Sequence, residues 1–237
     1  MVITMNDVHT REQLLDKLQE GQNPPIVIFF CSDSRVDLNI FNANPGEMFG
    51  IENAGNIFGL GDESKSSLAY ALSHFSVDDK LSILILGHTK CGAVTTACKL
   101  HGKDTSGLHT SLRNLIETIR PAVERASARP GSLVDNAIEE NVKIQMMRVR
   151  DFILNEAKEI RAKDVHIYGA IYEISGRDDL LPNTWHIHVI RGGQKNPSAP
   201  LEELTLTPLD GSNTNALIRT VMKLGAYIRG ELLPRSK

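Results

Sequence analysis

The chain has 237 residues, of which 41% are hydrophobic, enough apolar material for one sizeable α/β core. A formal net charge of -3 gives no basic surface of the kind that binds nucleic acid, so we expect no nucleic-acid partner. The N-terminus lacks the apolar segment of a signal peptide, and no apolar run approaches the about 20 residues that cross a bilayer, so we expect a cytoplasmic protein without a membrane partner.

The first half of the chain alternates between strand and helix patterns. Leucines recur at helical spacing in Thr10–Leu18, which predicts a helix within an N-terminal helical arm over residues 1–24. Ile26–Phe30 is a continuous run of β-branched and aromatic residues, which predicts a strand covered on both faces. The elements predicted next are a strand at Glu47–Ile51, a helix at Glu63–His74, a strand at Leu81–Leu86 and a helix at Ala93–Leu100.

The second half begins with helices and returns to strands. A helical pattern covers Ser106–Arg161, interrupted at Arg129–Ser132, and Val165–Ile171 is predicted to be a further buried strand. Trp185–Ile190 begins with alternating apolar and histidine side chains, which predicts an antiparallel strand at the edge of the sheet.

The whole chain, residues 1–237, is predicted to form a single α/β domain. Strands alternating with helices indicate a mainly parallel central sheet in the order 2-1-3-4, with an antiparallel edge strand added and helices on both faces. The Gly- and Pro-rich stretch Gly192–Pro200 is predicted to be a loop that opens a C-terminal extension over residues 192–237, with a terminal helix at Thr214–Leu233.

Two of the predicted strands end in side chains that bind soft metal ions. Cys31 ends the first of them, and His88 and Cys91 follow the strand at Leu81–Leu86. Sites in open α/β sheets form beyond the carboxyl ends of neighbouring strands, so the three side chains converge if these strands are adjacent. Two thiolates and one imidazole suit Zn²⁺, and three protein ligands leave a fourth position for water or substrate. Taken singly, a His-x-x-Cys spacing also fits an ordinary helix N-terminus, and a free cysteine is often simply buried.

A charged pair follows the first cysteine. Arg35 lies two residues after Asp33 and can bind its carboxylate through two hydrogen bonds. This pairing would keep Asp33 ionised near a metal-bound hydroxide, whereas the alternative interpretation is an ordinary surface ion pair.

These motifs resemble those of the β-class carbonic anhydrases. Cys31-Ser32-Asp33-Ser34-Arg35 is similar to the Cys-x-Asp-Ser-Arg motif of that family, and His88-Thr89-Lys90-Cys91-Gly92 to its His-x-x-Cys-Gly motif. Asn53-Ala54-Gly55-Asn56 resembles the loop that lines the family's active site, and Tyr168–Glu173 a later strand. The similarity extends over about Pro25–Asp179 and therefore covers the catalytic core.

The resemblance implies a role for each matching residue. Zn²⁺ would be bound by Cys31, His88 and Cys91, and Asp33 with Arg35 would form the catalytic dyad. The substrate pocket would be lined by four residues: Ala54, Gly55, Asn56 and Gly92. In some family members the residue matching Asp33 moves onto the metal as a fourth ligand and closes the site. The resemblance also implies a homodimer or a higher homo-oligomer.

The resulting hypothesis is a carbonic anhydrase that reversibly hydrates carbon dioxide to bicarbonate with a zinc-bound hydroxide. The main alternative is a hydrolase of carbonyl sulfide or carbon disulfide, because close relatives within the family hydrolyse these substrates with the same metal ligands. A lesser alternative is a structural or sensory zinc protein in which Asp33 closes the fourth position. The last alternative is a protein without zinc, in which Cys91 is a redox or nucleophilic thiol at a helix N-terminus.

The remaining candidate residues have simpler interpretations. His186 and His188 share one face of a strand and are expected to be hydrogen-bonded, although they could form a second metal site or a proton relay. Cys98 lies about two helical turns after Cys91 and is expected to be a small core residue. Gly59–Gly61 lacks the pattern of a dinucleotide-binding loop and is expected to form a turn.

Overall fold

The computed structural model describes residues 15–16, 18–41, 43, 45–75, 80–157, 164–172, 174, 185–190 and 204–209. Six strands lie in these ranges: β1 (Ile26–Cys31), β2 (Met48–Asn53), β3 (Lys80–His88), β4 (Asp164–Tyr172), β5 (Trp185–Ile190) and β6 (Leu204–Leu209). Four α-helices accompany them: α1 (Asp62–His74), α2 (Gly92–Lys99), α3 (Thr110–Ser127) and α4 (Leu133–Asn155).

The strands form one sheet in the order β2-β1-β3-β4-β5-β6. β1 pairs in parallel with both β2 and β3, and β3 pairs in parallel with β4. β5 is antiparallel to β4, and β6 is antiparallel to β5. The predicted order 2-1-3-4 is therefore confirmed, as is the antiparallel direction of β5.

Apolar side chains cover both faces of the central strands. Along β1, Val27 and Phe29 belong to one core cluster, whereas Ile26 and Ile28 belong to a second. Successive side chains of a strand point to opposite faces, so the two clusters lie on opposite sides of the sheet. This two-sided burial explains why the strand is a continuous apolar run rather than an alternating one.

Helix α4 lies very close to the sheet because glycines face it. A Cβ atom added to Gly87 would lie 2.6 Å from Cγ2 of Val142, and a Cβ atom added to Gly169 would meet the side chains of Val142 and Met146. Glycine at these two strand positions therefore lets the helix approach β3 and β4 at short range. This approach brings the buried face of α4 close to the end of β3, from which the site described below begins.

Several differences separate the structure from the sequence-based expectations. β5 is not an edge strand, because β6 pairs with it. β6 itself was not expected; Leu204–Thr207 alternates with the period of a strand, but Pro208 is unfavourable in one. The break predicted at Arg129–Ser132 is confirmed, because it separates α3 from α4.

Some expectations fall on parts of the chain outside the described residues. Of the predicted helix at Thr10–Leu18, only residues 15, 16 and 18 are described, and these are helical. The loop at Gly192–Pro200 and the terminal helix at Thr214–Leu233 lie outside the described residues altogether. Among the helices that are described, none combines the length and the hydropathy required to cross a membrane.

Candidate metal centre

The site begins where β1 and β3 end side by side. Their parallel register pairs Phe30 with Leu86, so Cys31 and His88 emerge at the same edge of the sheet. Cys91 follows after a tight turn and is the N-cap residue of α2. In that turn Lys90 has a φ of 54°, in the left-handed region, which reverses the chain and returns Cys91 toward the strand ends.

The three predicted ligands meet at this edge. The Sγ atoms of Cys31 and Cys91 and a ring nitrogen of His88 all lie within 4.8 Å of one another. All three side chains are buried, with exposed fractions of 5% for Cys31, 1% for Cys91 and 0% for His88. Within the part of the chain that the structure describes, this is the group of side chains that could hold a metal ion.

The imidazole of His88 is oriented for metal binding. Its Nδ1 donates a hydrogen bond to the carbonyl of Thr89 at 2.9 Å, which leaves Nε2 as the nitrogen with a free lone pair. Nε2 is buried and has no hydrogen-bond partner among the described residues. Buried polar atoms are almost always paired, so an unpaired nitrogen beside two cysteines fits a metal ion as its missing partner.

The turn after His88 is anchored to β4. The Thr89 N–H donates to the carbonyl of Tyr172 at 2.9 Å, and the Thr89 hydroxyl accepts a hydrogen bond from the N–H of Ile174 at 2.8 Å. These bonds hold the Thr89 carbonyl, and with it the ring of His88, in one orientation.

The pKa values of the two cysteine thiols are shifted in opposite directions. The pKa of Cys31 is lowered to about 4, because its thiolate accepts hydrogen bonds from the Cys91 thiol and from the Gly55 N–H. The pKa of Cys91 is raised, because both its hydrogen bond to Cys31 and its burial keep the proton in place. Two adjacent thiolates therefore require a cation to neutralise them, which a divalent metal ion would provide.

The carboxylate of Asp33 is held beside the three ligands by Arg35. The guanidinium donates from Nε to Oδ1 at 2.8 Å and from Nη2 to Oδ2 at 2.6 Å. These hydrogen bonds lower the pKa of Asp33 to about 2. Nη2 also donates to the carbonyl of Lys90 at 3.0 Å, and Oδ2 of Asp33 lies 3.8 Å from Nε2 of His88. The pair is thus tied to the ligand-bearing turn and is not an isolated surface ion pair.

The four predicted pocket residues lie on two neighbouring turns. Ala54, Gly55 and Asn56 form a single helical turn directly after β2, and Gly92 begins α2. Gly55 and Asn56 are buried, and Ala54 and Gly92 are exposed. Gly55 reaches the centre directly, since its N–H donates to Sγ of Cys31 at 3.3 Å.

Two contributors to the site were not predicted from the sequence. Asn141 and Gln145 lie on the buried face of α4, and Nδ2 of Asn141 donates to the carbonyl of Gly55 at 3.0 Å. Their four-residue spacing places two polar side chains on an otherwise apolar helix face, and this was the one available signal.

The other candidates lie apart from the centre or are not described. Cys98 is half-buried and packs against the main core, as expected of a small core residue. The backbones of His186 and His188 lie in β5, but their side chains are not described by the structure. Gly59 has a φ of 78° in the bend that precedes α1, in agreement with a turn.

Comparisons with known proteins agree on one family. The family model described as carbonic anhydrase matches residues 26–177. A carbonic anhydrase of Pseudomonas aeruginosa is 32% identical, over 72% of this chain and 79% of its own length. One of Synechococcus elongatus is 27% identical over 72% of this chain, and the match spans 64% of its length, slightly under two thirds.

Solved structures share the fold. The β-carbonic anhydrase CcaA superposes with a TM-score of 0.59 and 26% sequence identity, covering 86% of this chain and 89% of its own. A Coccomyxa β-carbonic anhydrase, solved in complex with acetazolamide, gives a TM-score of 0.58 at 24% identity, covering 94% of this chain and 90% of its own.

Proposed function

We propose, because this chain belongs to the carbonic anhydrase family, that it is a zinc enzyme that reversibly hydrates carbon dioxide to bicarbonate. The observation that carries the proposal is the convergence of Cys31, His88 and Cys91 at one edge of the sheet, where Nε2 of His88 is buried and has no hydrogen-bond partner among the residues that the structure describes. The ionised carboxylate of Asp33 lies next to that nitrogen, where it can act on a reacting water.

Zinc fits the residues at this centre. Two cysteines and one histidine form a ligand set that Zn²⁺ accepts, and three protein ligands leave a fourth position for water. When bound, the metal supplies Lewis acidity that makes a water molecule nucleophilic near neutral pH. The hydrogen bond from Nδ1 of His88 to the Thr89 carbonyl fixes the tautomer that ligation by Nε2 requires.

Asp33 serves as a hydrogen-bond acceptor at this centre. Because its pKa is lowered to about 2, its carboxylate is ionised near neutral pH and can only accept. Oδ2 can therefore accept the proton of an attacking hydroxyl in a hydrogen bond and direct the oxygen lone pair at the carbon of the substrate. Arg35 holds both carboxylate oxygens, so the direction is set before the substrate arrives.

The turn after β2 and the start of α2 form the proposed substrate pocket. Carbon dioxide is small and apolar, so it needs a shaped space with few polar contacts rather than a set of charged groups. Gly55 and Gly92 carry no side chain and Ala54 carries only a methyl group, whereas Asn56 contributes a buried amide. The exposure of Ala54 and Gly92 supports an entrance for the substrate beside these two residues.

The alternatives have less support. Hydrolysis of carbonyl sulfide or carbon disulfide would use the same centre, but the relatives described above are all named carbonic anhydrases. In a structural or sensory site Asp33 would bind the metal, whereas here Arg35 holds both of its oxygens. A redox or nucleophilic Cys91 would need a lowered pKa, and the pKa of this thiol is raised.

We further propose a homodimer or higher homo-oligomer in the cytoplasm. Two β-carbonic anhydrases of Sordaria macrospora that share this fold are described as tetrameric. The cysteines of the described residues, Cys31, Cys91 and Cys98, are all free, which fits a reducing compartment.

The test is stopped-flow hydration of carbon dioxide by the zinc-loaded chain, with carbonyl sulfide and carbon disulfide assayed alongside. We expect rapid hydration that Cys31→Ala abolishes and that Cys98→Ala leaves intact, since Cys98 lies outside the ligand set. Zinc-loaded protein that released sulfide but hydrated no carbon dioxide would establish the sulfur-substrate alternative instead.

A further inference from the structure

A chain of buried amides connects helix α4 to the ligand Cys31. Nε2 of Gln145 donates to Oδ1 of Asn141 at 2.9 Å, and Nδ2 of Asn141 donates to the carbonyl of Gly55 at 3.0 Å. The N–H of Gly55 in turn donates to Sγ of Cys31 at 3.3 Å. A continuous path of hydrogen bonds therefore runs from the helix, through one glycine, to a sulfur of the metal centre.

Donors at the far end of this path determine which way the amides point. Oε1 of Gln145 accepts from the N–H of Phe58 at 3.0 Å and from Nη1 of Arg148 at 3.3 Å. A guanidinium and a backbone N–H can only donate, so the oxygen of Gln145 must face them and its NH₂ group must face Asn141. The same logic turns the NH₂ group of Asn141 toward Gly55.

Burying an amide side chain is unfavourable unless its polar atoms form hydrogen bonds. Asn141 is 1% exposed and Gln145 is fully buried. Apolar side chains of the same shape at both positions would serve packing without needing hydrogen-bond partners. The amides instead satisfy the backbone of the turn that carries Gly55.

That turn is closed by its own hydrogen bonds. Both side-chain atoms of Asn53 bond to the backbone of Ile57, each at 2.7 Å, and so close the turn on itself. Gly55 has a φ of 76° and lies against Ala93, where a Cβ atom would be 3.2 Å from the Ala93 Cβ. The bond from Asn141 to the Gly55 carbonyl and the bond that Gln145 accepts from the Phe58 N–H fix this turn against helix α4, and they therefore set where the Gly55 N–H points.

We propose that Asn141 and Gln145 are positioning residues of the metal centre, which hold the Gly55 turn so that its N–H donates to the Cys31 sulfur. The inference rests on the proposed function, since it requires that Cys31 bind a metal ion. A hydrogen bond to a ligating thiolate fixes its direction and reduces the electron density that it gives to the metal. Helix α4 thus acts on the Cys31 sulfur through the Gly55 turn, without supplying a metal ligand of its own.

Cobalt replaces zinc as the probe, because its thiolate charge-transfer absorption reports on the sulfur directly. Asn141→Leu keeps the approximate volume and removes the donor to the Gly55 carbonyl. Gln145→Glu keeps the shape and the acceptor for Phe58 and Arg148, but it presents an oxygen to Asn141 and forces that amide to turn its own oxygen toward Gly55. Val149→Ala is the matched control, since Val149 is a fully buried residue of the same helix outside the path.

We expect both amide variants of the full-length chain to shift the cobalt–thiolate absorption to longer wavelength and to bind Co²⁺ about tenfold more weakly in chelator competition. Val149→Ala should lower the Tm and leave both cobalt readouts unchanged. Amide variants with the wild-type spectrum and affinity, or equal changes in Val149→Ala, would overturn the inference. A wild-type chain that bound no Co²⁺ would overturn the proposed function and this inference together, whereas unchanged variants would overturn the inference alone.

Discussion

The carboxylate of Asp33 and the guanidinium of Arg35 are joined by two side-chain hydrogen bonds, at 2.8 and 2.6 Å. The backbone N–H of Arg35 adds a third, to Oδ1 at 3.1 Å. Both oxygens are thereby held in place, and Oδ2 lies 3.8 Å from Nε2 of His88. Arg35, two residues away in the sequence, thus keeps the carboxylate ionised and holds its orientation beside the three candidate metal ligands.

Asp33→Asn should lower turnover and leave the metal in place. The amide is uncharged and presents one acceptor where the carboxylate has two, so we expect hydration of carbon dioxide to fall by about 10²- to 10⁴-fold. Zinc content by mass spectrometry should match the wild type, because Cys31, His88 and Cys91 are intact. Wild-type turnover in this variant would remove Asp33 from the mechanism.

The Asp33–Arg35 pair should make stability depend on acidic pH in a defined direction. Because the pKa of Asp33 is lowered to about 2 in the folded chain, against about 3.9 unfolded, its stabilising contribution is complete above about pH 4 and is lost as the pH falls toward about 2. We expect the difference in unfolding free energy between wild type and Asp33→Asn, measured by urea in zinc-depleted protein, to be constant near neutral pH and to shrink below about pH 4. The same comparison in an Arg35→Ala background should show a weaker pH dependence, and an equal one would assign the effect elsewhere.

Metal binding should release about one proton from the two ligand thiols at neutral pH. The pKa of Cys31 is lowered to about 4, so this residue is already a thiolate, whereas the pKa of Cys91 is raised and its proton must leave when a metal binds. Calorimetric titration with Zn²⁺ in buffers of different ionisation enthalpy measures the number directly. Release of two protons would mean that Cys31 is also protonated in the metal-free chain.

Gly55→Ala should destabilise the fold and disturb the centre. An alanine there adopts a φ of 76°, which costs about 1–2 kcal/mol, and its Cβ atom would lie 3.2 Å from that of Ala93. Gly102→Ala is the matched control, because Gly102 has a φ of 72° and nothing within 4 Å of the added atom. In urea unfolding we expect a larger loss for Gly55→Ala than for Gly102→Ala, with weaker Zn²⁺ binding in the first variant only. Equal losses and equal metal affinities would show that the contact with Ala93 and the bond to Cys31 have no effect.

Local sequence predicted most of the sheet and the group of side chains that could hold a metal ion. The apolar run at Ile26–Phe30 predicted β1 because neighbouring residues in a strand covered on both faces must all be apolar, and that requirement can be read without knowing the partners. Cys31, His88 and Cys91 were predicted as candidate ligands because they follow two strands whose carboxyl ends meet at one edge of the sheet, and in the structure their ligand atoms lie within 4.8 Å of one another. β6 was missed because a six-residue alternating segment that contains Pro208 becomes a strand through its pairing with β5.

The tertiary structure alone decided how the centre is held. The hydrogen bond from Asn141 to the Gly55 carbonyl joins residues 86 positions apart, and the bond that the Phe58 N–H donates to Gln145 spans 87 positions. Neither hydrogen bond could be predicted from local sequence, because both form only when α4 lies against the glycines of β3 and β4. The sequence by itself determined which atoms can bind the metal, since ligand chemistry belongs to single side chains. Their distances, tautomer and hydrogen bonds depended on packing between distant segments, and only the folded chain could determine them.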